Sequence, residues 1–127
     1  SVVAAANTAD KIISPIIPDK LCLIGLDLLR NMLYEIENSQ KGKQIPYEIL
    51  YNKFNSRTFL SKYILSYLLT HKIYKNKLNE NYIRQSQEFS NKSLNNLSIY
   101  DDTKKTLVKN DIDSLTTSLL EINNNDC

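Results

Sequence analysis

The sequence predicts an all-α (mainly α) fold: a helical bundle with at most one small β-hairpin and an extra C-terminal amphipathic helix. Apolar residues recur at spacings of three and four in several stretches, which is the periodicity of helices that bury one face. Only 2 Gly and 3 Pro occur among 127 residues, which disfavours a loop-rich all-β fold and a glycine-rich phosphate loop. The length indicates one domain.

Residues 1–19 are predicted to form an N-terminal arm, because Pro15 and Pro18 would stop any helix that begins near Asp10. Asp19 can cap a helix over about 20–37. Gly25 lies inside this helix, either as a tolerated weak spot that costs about 1 kcal/mol or as a point where another backbone approaches closely. The apolar stripe of the helix comprises Leu21, Ile24, Leu28, Met32 and Ile36, widened by Leu29 and Leu33.

Residues 20–84 form the predicted helical core. Pro46 suits the first position of a short helix that reaches Phe54, and residues 55–58 form a turn. A third helix, over 59–70, is apolar nearly all round, which predicts that most of its surface is buried. Residues 72–84 form either a hairpin or the continuation of a helix. The predicted core includes Ile24, Leu28, Met32, Leu50, Phe54, Leu60, Ile64 and Leu68.

The C-terminal part is predicted to be a polar loop over 85–101, an amphipathic helix over 102–122 and a disordered tail over 123–127. Asp101 or Asp102 can cap this helix. Its stripe comprises Val108, Ile112, Leu115, Leu119 and Ile122. The stripe must be buried, either by folding back on residues 21–70 or by pairing with the same helix of a second copy or with a partner protein. Two heptads are too short for a stable free coiled coil, which favours folding back.

Positive charge is concentrated in the middle of the chain. Residues 1–40 carry a net charge of −2, residues 41–86 carry +7 and residues 87–127 carry −3. No acidic residue occurs between Lys53 and Lys77. A basic segment between acidic flanks is typical of a phosphate-facing surface. The same segment holds most of the aromatic residues, and their spacing places most of them in the core rather than on a surface that stacks bases.

The stretch from Ile45 to Tyr74 combines a short second helix, the turn Asn55-Ser56-Arg57-Thr58 and a third helix that leads into a basic hairpin. Over about residues 21–84 the chain is therefore similar to the winged-helix form of the helix-turn-helix, although Thr70-His71-Lys72 stands where a glycine commonly precedes the wing. In that superfamily the third helix enters the major groove. The resemblance implies that Arg57, Thr58, Ser61 and Lys62 face the groove, and that Lys72, Lys75 and Lys77 lie on or near the wing.

The leading functional hypothesis is a non-catalytic nucleic-acid-binding domain, part of a larger protein, that contacts duplex DNA through the residues just named together with Lys53. The alternative explanation of the positive charge is that these lysines are ordinary solvent-exposed residues that bind no ligand. The alternative hypothesis is a helical protein–protein interaction or dimerisation module. In that case the interface is the C-terminal stripe, from Val108 to Ile122.

Several classes of function are disfavoured. No apolar run approaches the roughly 18 residues of a membrane span. One His and two distant cysteines, Cys22 and Cys127, offer little for a metal site or a disulfide framework, so we expect no cofactor and a reducing compartment, nucleus or cytoplasm. Adjacent carboxylates such as Asp101 and Asp102 more often cap helices than catalyse, so no enzymatic activity or small-molecule substrate is expected.

Overall fold

The computed structural model describes residues 2–40, 44–100 and 106–125. Its centre is a two-stranded parallel sheet formed by β1 (Ile12–Ile16) and β2 (Tyr47–Tyr51), in register from Ile12 opposite Tyr47 to Ile16 opposite Tyr51. Parallel strands need a crossover connection, and helix α2 (Lys20–Ser39) provides it. The fold is therefore mixed α/β, and the all-α prediction is wrong.

A third extended segment, residues 77–85, runs beside the other edge of β2. The Ile49 N–H donates to the Lys77 carbonyl at 2.8 Å, and the Ile83 N–H donates to the Tyr51 carbonyl at 2.9 Å. Isolated parallel bridges join Ile49 to Leu78 and Phe54 to Arg84. Residues 77–84 thus pair with β2 and the residues that follow it rather than with residues 72–76, so the hairpin predicted over 72–84 does not form. A short 3₁₀ turn at Tyr74–Asn76 leads into the segment.

Five α-helices occur in the described part of the chain: α1 (Val2–Thr8), α2, α3 (Phe59–Thr70), α4 (Gln87–Leu94) and α5 (Leu107–Asn125). The predicted arm contains α1 and β1, the short helix expected over 46–54 contains β2 instead, and the loop expected over 85–101 contains α4. Asp101, Asp102, Asp126 and Cys127 lie outside the described residues, whereas 123–125 of the expected tail continue α5.

Side-chain caps explain where three of the helices begin. The Asp19 carboxylate accepts the Leu21 N–H at 2.9 Å at the start of α2. The Thr58 hydroxyl accepts the Ser61 N–H at 3.4 Å before α3, and the Ser86 hydroxyl accepts the Glu88 N–H at 3.1 Å before α4. Asp19 is the capping residue that the sequence indicates for α2, and Thr58 is one of the two, with Ser56, that it offers for α3.

The main core lies between the sheet and helices α2 and α3. It contains Ile16, Leu26, Ile49, Tyr51, Ile64, Leu68 and Tyr74. Ile64 and Leu68 are buried as predicted, while Met32, Leu50, Phe54 and Leu60 are half-buried. Ile24 and Leu28 are 57% and 65% exposed, so their assignment to the core is wrong. Helix α2 is apolar on two sides. It turns Leu33 and Ile36 of the predicted stripe inward together with Leu26, whereas Leu21 of that stripe is exposed.

Helix α5 folds back against the 77–85 segment. Asp111 binds the Arg84 guanidinium through two hydrogen bonds of 2.7 and 2.8 Å, and the Asn79 amide donates to the Ser118 hydroxyl at 3.2 Å. The proposed interface residues Val108 and Leu115 are buried within the chain, and Ile112 and Leu119 are half-buried. The Ile122 side chain lies outside what the structure describes. Fold-back therefore accounts for most of the C-terminal stripe.

Substituting Asp111 by asparagine is expected to lower the free energy of unfolding by about 1 kcal/mol, because it weakens a charge-assisted pair whose Arg84 side is partly screened by solvent. Burial alone would raise the pKa of Asp111, but the hydrogen bonds from Arg84 outweigh it and hold that pKa below its usual range. The contribution of the Asp111–Arg84 pair to stability is therefore present above about pH 4, and it is lost as the pH falls through the pKa of Asp111 in the folded state.

Urea denaturation at pH 7 and pH 3 measures both effects of this substitution. The difference between wild type and Asp111→Asn should be largest at pH 7 and should shrink at pH 3, because the carboxyl group of the unfolded chain takes up a proton there while Arg84 holds the folded pKa lower. Glu80→Gln is the control, because Glu80 is exposed. Asp19 is also exposed, but it caps α2 and is therefore unsuitable as a control. An equal difference at both pH values would contradict the charge pairing.

Replacing Gly25 by alanine is expected to raise the free energy of unfolding by about 0.5–1 kcal/mol, since glycine in a helix interior is less favourable than alanine by that amount. Gly25 is exposed, and no atom lies within 4 Å of the position that a Cβ would occupy. The gain corresponds to a rise of about 2–5 °C in the melting temperature. A lower melting temperature would show that another backbone does approach this position within the chain.

Candidate functional site

Two aromatic rings stand on the outer surface of α3. Phe59 and Tyr63 are 82% and 52% exposed, although large aromatic side chains are normally buried. They lie four residues apart, hence on the same helix face. Their ring centroids are 6.0 Å apart and their planes are inclined by only 25°. The two rings therefore form a stacked, solvent-facing pair at the N-terminal end of the helix.

Three cations lie close to this pair in the sequence: Lys53 and Arg57 in the turn before α3, and Lys62 between the two aromatic residues. All three are exposed. Within the described residues, no carboxylate lies within the 4.0 Å of a salt bridge from any of them. Their charge is thus available to a ligand, and the amino end of the α3 dipole adds to it. We call Lys53, Arg57, Phe59, Lys62 and Tyr63 the α3 surface.

The turn that carries Lys53 and Arg57 is held by its own polar side chains. The Asn52 side-chain oxygen accepts the Lys53 N–H at 2.8 Å, and the Asn55 side-chain oxygen accepts the Arg57 N–H at 2.9 Å. Lys53 adopts a positive φ of 53°, a conformation that few residues other than glycine adopt. The turn directly follows β2, so it presents both cations at the carboxyl end of that strand.

Two residues expected to face a DNA groove have structural roles. Ser61 is fully buried: its carbonyl accepts the Tyr51 hydroxyl at 3.0 Å, and its own hydroxyl accepts the Asn55 N–H at 3.3 Å. Ser61 is therefore removed from any binding surface. Thr58 is exposed, but its hydroxyl oxygen caps α3 and donates to the Asn55 carbonyl. Ser61 stays inside because α3 turns it toward β2 together with Ile64 and Leu68.

The remaining basic residues of the sequence hypothesis are separated from this group. Lys72 and Lys75 are exposed beyond the C-terminal end of α3, about 18 Å along the helix from Arg57. Lys77 is half-buried beside the start of β2, where its amine lies 4.7 Å from the centre of the Tyr47 ring. The structure thus places Arg57 and Lys62 at the N-terminal end of α3, Lys53 in the turn after β2, and Lys77 elsewhere.

An open cleft of about 690 Å³ adjoins the α3 surface at Arg57. Its wall includes Asn55, Asn81 and Gln85, and Tyr82, which packs in an aromatic cluster with Tyr51 and Phe54. Ligands of parallel α/β folds commonly bind at the carboxyl ends of the strands, which is where this cleft lies. Arg84 also lines it, but Asp111 neutralises its charge.

Sequence reasoning missed Phe59 and Tyr63 as functional candidates because it assigned both rings to the core. One signal was available: a helix this apolar has more hydrophobic surface than a single sheet face can cover, so some of it must remain exposed.

In the described residues, no helix combines the length and hydropathy needed to cross a membrane. Nor do three His, Cys, Asp or Glu side chains gather there as a metal ion would require.

No protein-family model matches the chain, and the search of curated proteins finds no match to it either.

Proposed function

We propose that this protein binds single-stranded nucleic acid through the α3 surface. The observation that carries the proposal is the exposed, stacked Phe59–Tyr63 pair, which is accompanied in the sequence by cations that have no carboxylate within 4.0 Å among the described residues. Unpaired bases stack on such rings whatever their identity, and lysine and arginine follow the phosphate backbone. In a duplex the base faces are already stacked on each other, so the rings favour a single strand.

The charges set the size of the electrostatic contribution. A single strand releases counterions with a slope of about −0.7 per neutralised phosphate in a plot of log affinity against log salt concentration. The three cations of the α3 surface therefore predict a slope of about −2. Stacking contributes about 1–3 kcal/mol per base and depends little on salt. Binding should consequently weaken with salt while retaining a salt-resistant part that comes from the two rings.

Fluorescence anisotropy with a labelled single strand and a hairpin duplex of the same length tests the proposal. We expect tighter binding to the single strand and a salt slope near −2. Arg57→Gln combined with Lys62→Gln should reduce that slope by about 1.4, whereas Lys20→Gln, an exposed cation on α2, should leave it unchanged. Equal affinity for the duplex, or no binding at low salt, would contradict the proposal.

We propose self-association through the outer face of α2 as a second candidate function, because this face exposes Leu21, Ile24 and Leu28 on consecutive turns. An antiparallel pair of α2 helices related by a twofold axis would set Leu21 of one copy against Leu28 of the other, and Ile24 over the open space at Gly25. Lys20 would then lie within one turn of Asp27 of the second copy. This charge complementarity favours a second copy as the occupant.

Replacing Leu28 by glutamate is expected to convert a dimer into a monomer without loss of folding, since Leu28 is largely exposed within one chain. Light scattering coupled to size-exclusion chromatography measures the mass, and circular dichroism checks the fold. Leu94→Glu on α4 is the matched control, because Leu94 is even more exposed than Leu28 but lies on another helix. A wild-type protein that stays monomeric at millimolar concentration would exclude this candidate.

A further inference from the structure

A second cleft, of about 380 Å³, lies at the amino end of β2, between α2 and the residues on either side of the 3₁₀ turn. Arg30, Tyr34, Glu37, Tyr47 and Lys77 contribute side chains to its wall. Its size is within the range of small-molecule sites. It is separate from the α3 surface, because that surface follows the carboxyl end of β2.

Tyr47, which lines this cleft, has an unusual hydroxyl group. It is buried, and it has no hydrogen-bond partner among the described residues. A buried hydroxyl group without a partner is costly, so native structures rarely contain one unless a ligand or water completes it. Burial raises the pKa of Tyr47, Arg30 lowers it and Glu37 raises it, with a net increase. The hydroxyl is therefore protonated at neutral pH and can donate.

Two cations of the cleft are weakly paired. Lys77 has no carboxylate within 4.0 Å in the described part of the chain, and it contacts the Tyr47 ring instead. Arg30 approaches Asp27 only at 3.9 Å, and Asp27 accepts a hydrogen bond of 2.5 Å from the Tyr74 hydroxyl. The acidic group of the wall, Glu37, accepts the Ile45 N–H at 2.9 Å.

We infer that this cleft binds a small molecule through an oxyanion group, a phosphate or a carboxylate, that accepts a hydrogen bond from Tyr47 and lies between Arg30 and Lys77. A protonated phenol and two cations are the donors that such a group requires. Tyr34, exposed at the mouth of the cleft, offers a ring for the organic part of the ligand. This inference is independent of the proposed nucleic-acid binding.

Thermal unfolding in inorganic phosphate, at an ionic strength matched with sodium chloride, tests the inference. We expect the melting temperature of the wild type to rise with phosphate concentration, since a ligand that binds the folded state stabilises it. Tyr47→Phe should fold and should weaken the apparent phosphate affinity at least fivefold. Lys77→Gln should weaken it similarly, whereas Lys75→Gln, an exposed lysine on the same turn, should leave it unchanged.

Two readouts make the test decisive. Tyr47→Phe should melt no lower than wild type without phosphate, because its hydroxyl has no internal partner in the described residues; a large loss of stability would overturn the inference. A phosphate effect of equal size in wild type and Tyr47→Phe would also overturn it, since general salt stabilisation does not depend on one hydroxyl. Acetate in a parallel series distinguishes a carboxylate ligand from a phosphate.

Discussion

Replacing Ile49 by alanine is expected to lower the free energy of unfolding by about 3 kcal/mol, which corresponds to a fall of about 10–15 °C in the melting temperature. Ile49 is completely buried at the centre of β2. It lies between β1 on one side and the 77–85 segment on the other, and its side chain belongs to the main core. Alanine would leave a cavity in the core that α2 and α3 form with the sheet.

Ile24→Ala is the matched control for this prediction, since it removes the same atoms from a position that is more than half exposed. We expect a change of less than 1 kcal/mol, because alanine favours the helix while little buried surface is lost. Urea denaturation of both variants at low protein concentration, where self-association is suppressed, measures the difference. The all-α prediction requires the opposite order, with Ile24 the more costly substitution, so the pair discriminates between the two folds.

Replacing Phe59 by alanine is expected to weaken binding to a single strand by about 5-fold to 150-fold, the equivalent of 1–3 kcal/mol of stacking. The loss should be the same at low and high salt, because a neutral ring releases no counterions. Stability should change little, since Phe59 is the most exposed aromatic residue on α3 and contributes almost nothing to the core. Anisotropy titrations at two salt concentrations measure both properties.

Two further variants control this experiment. Phe59→Tyr should retain most of the affinity, since a phenol ring also stacks. Tyr34→Ala removes a comparably exposed ring from α2, and it should leave binding to the single strand unchanged. If Phe59→Ala bound as tightly as wild type, or if its loss of affinity disappeared at high salt, stacking on the α3 surface would be excluded.

The helices could be predicted from the sequence more readily than the strands. The prediction for α3 has the same bounds as the helix itself, because Thr58 caps it and its apolar run is long. The residues Tyr47, Leu50, Tyr51 and Phe54 have helical spacing, but four of the five side chains of Tyr47–Tyr51, all except Glu48, are apolar or aromatic and also suit a strand. A short strand of a parallel sheet is buried on both faces and reads as a continuous apolar run, so periodicity does not distinguish it from a helix.

The buried face of α2 and the exposed face of α3 could not be predicted from the sequence for a related reason. Both helices carry apolar side chains on more than one face, and the sheet, which the sequence pattern did not reveal, decides which face turns inward. Charge was easier to predict: Lys53, Arg57 and Lys62 are exposed, as a basic surface requires. The exposure of Phe59 and Tyr63 could not follow from spacing, because spacing does not show which side of a helix the core occupies.

The position of Pro15 in β1 has a consequence for the behaviour of the protein in concentrated solution. The Ile12 N–H and the Ile16 carbonyl face β2, so the backbone groups of residues 13, 15 and 17 face away from the sheet. Proline at the middle of these three costs the sheet no hydrogen bond, and it removes the central donor from the free edge. A strand from another molecule would find no continuous ladder there, which protects the edge against the stacking that begins fibril growth.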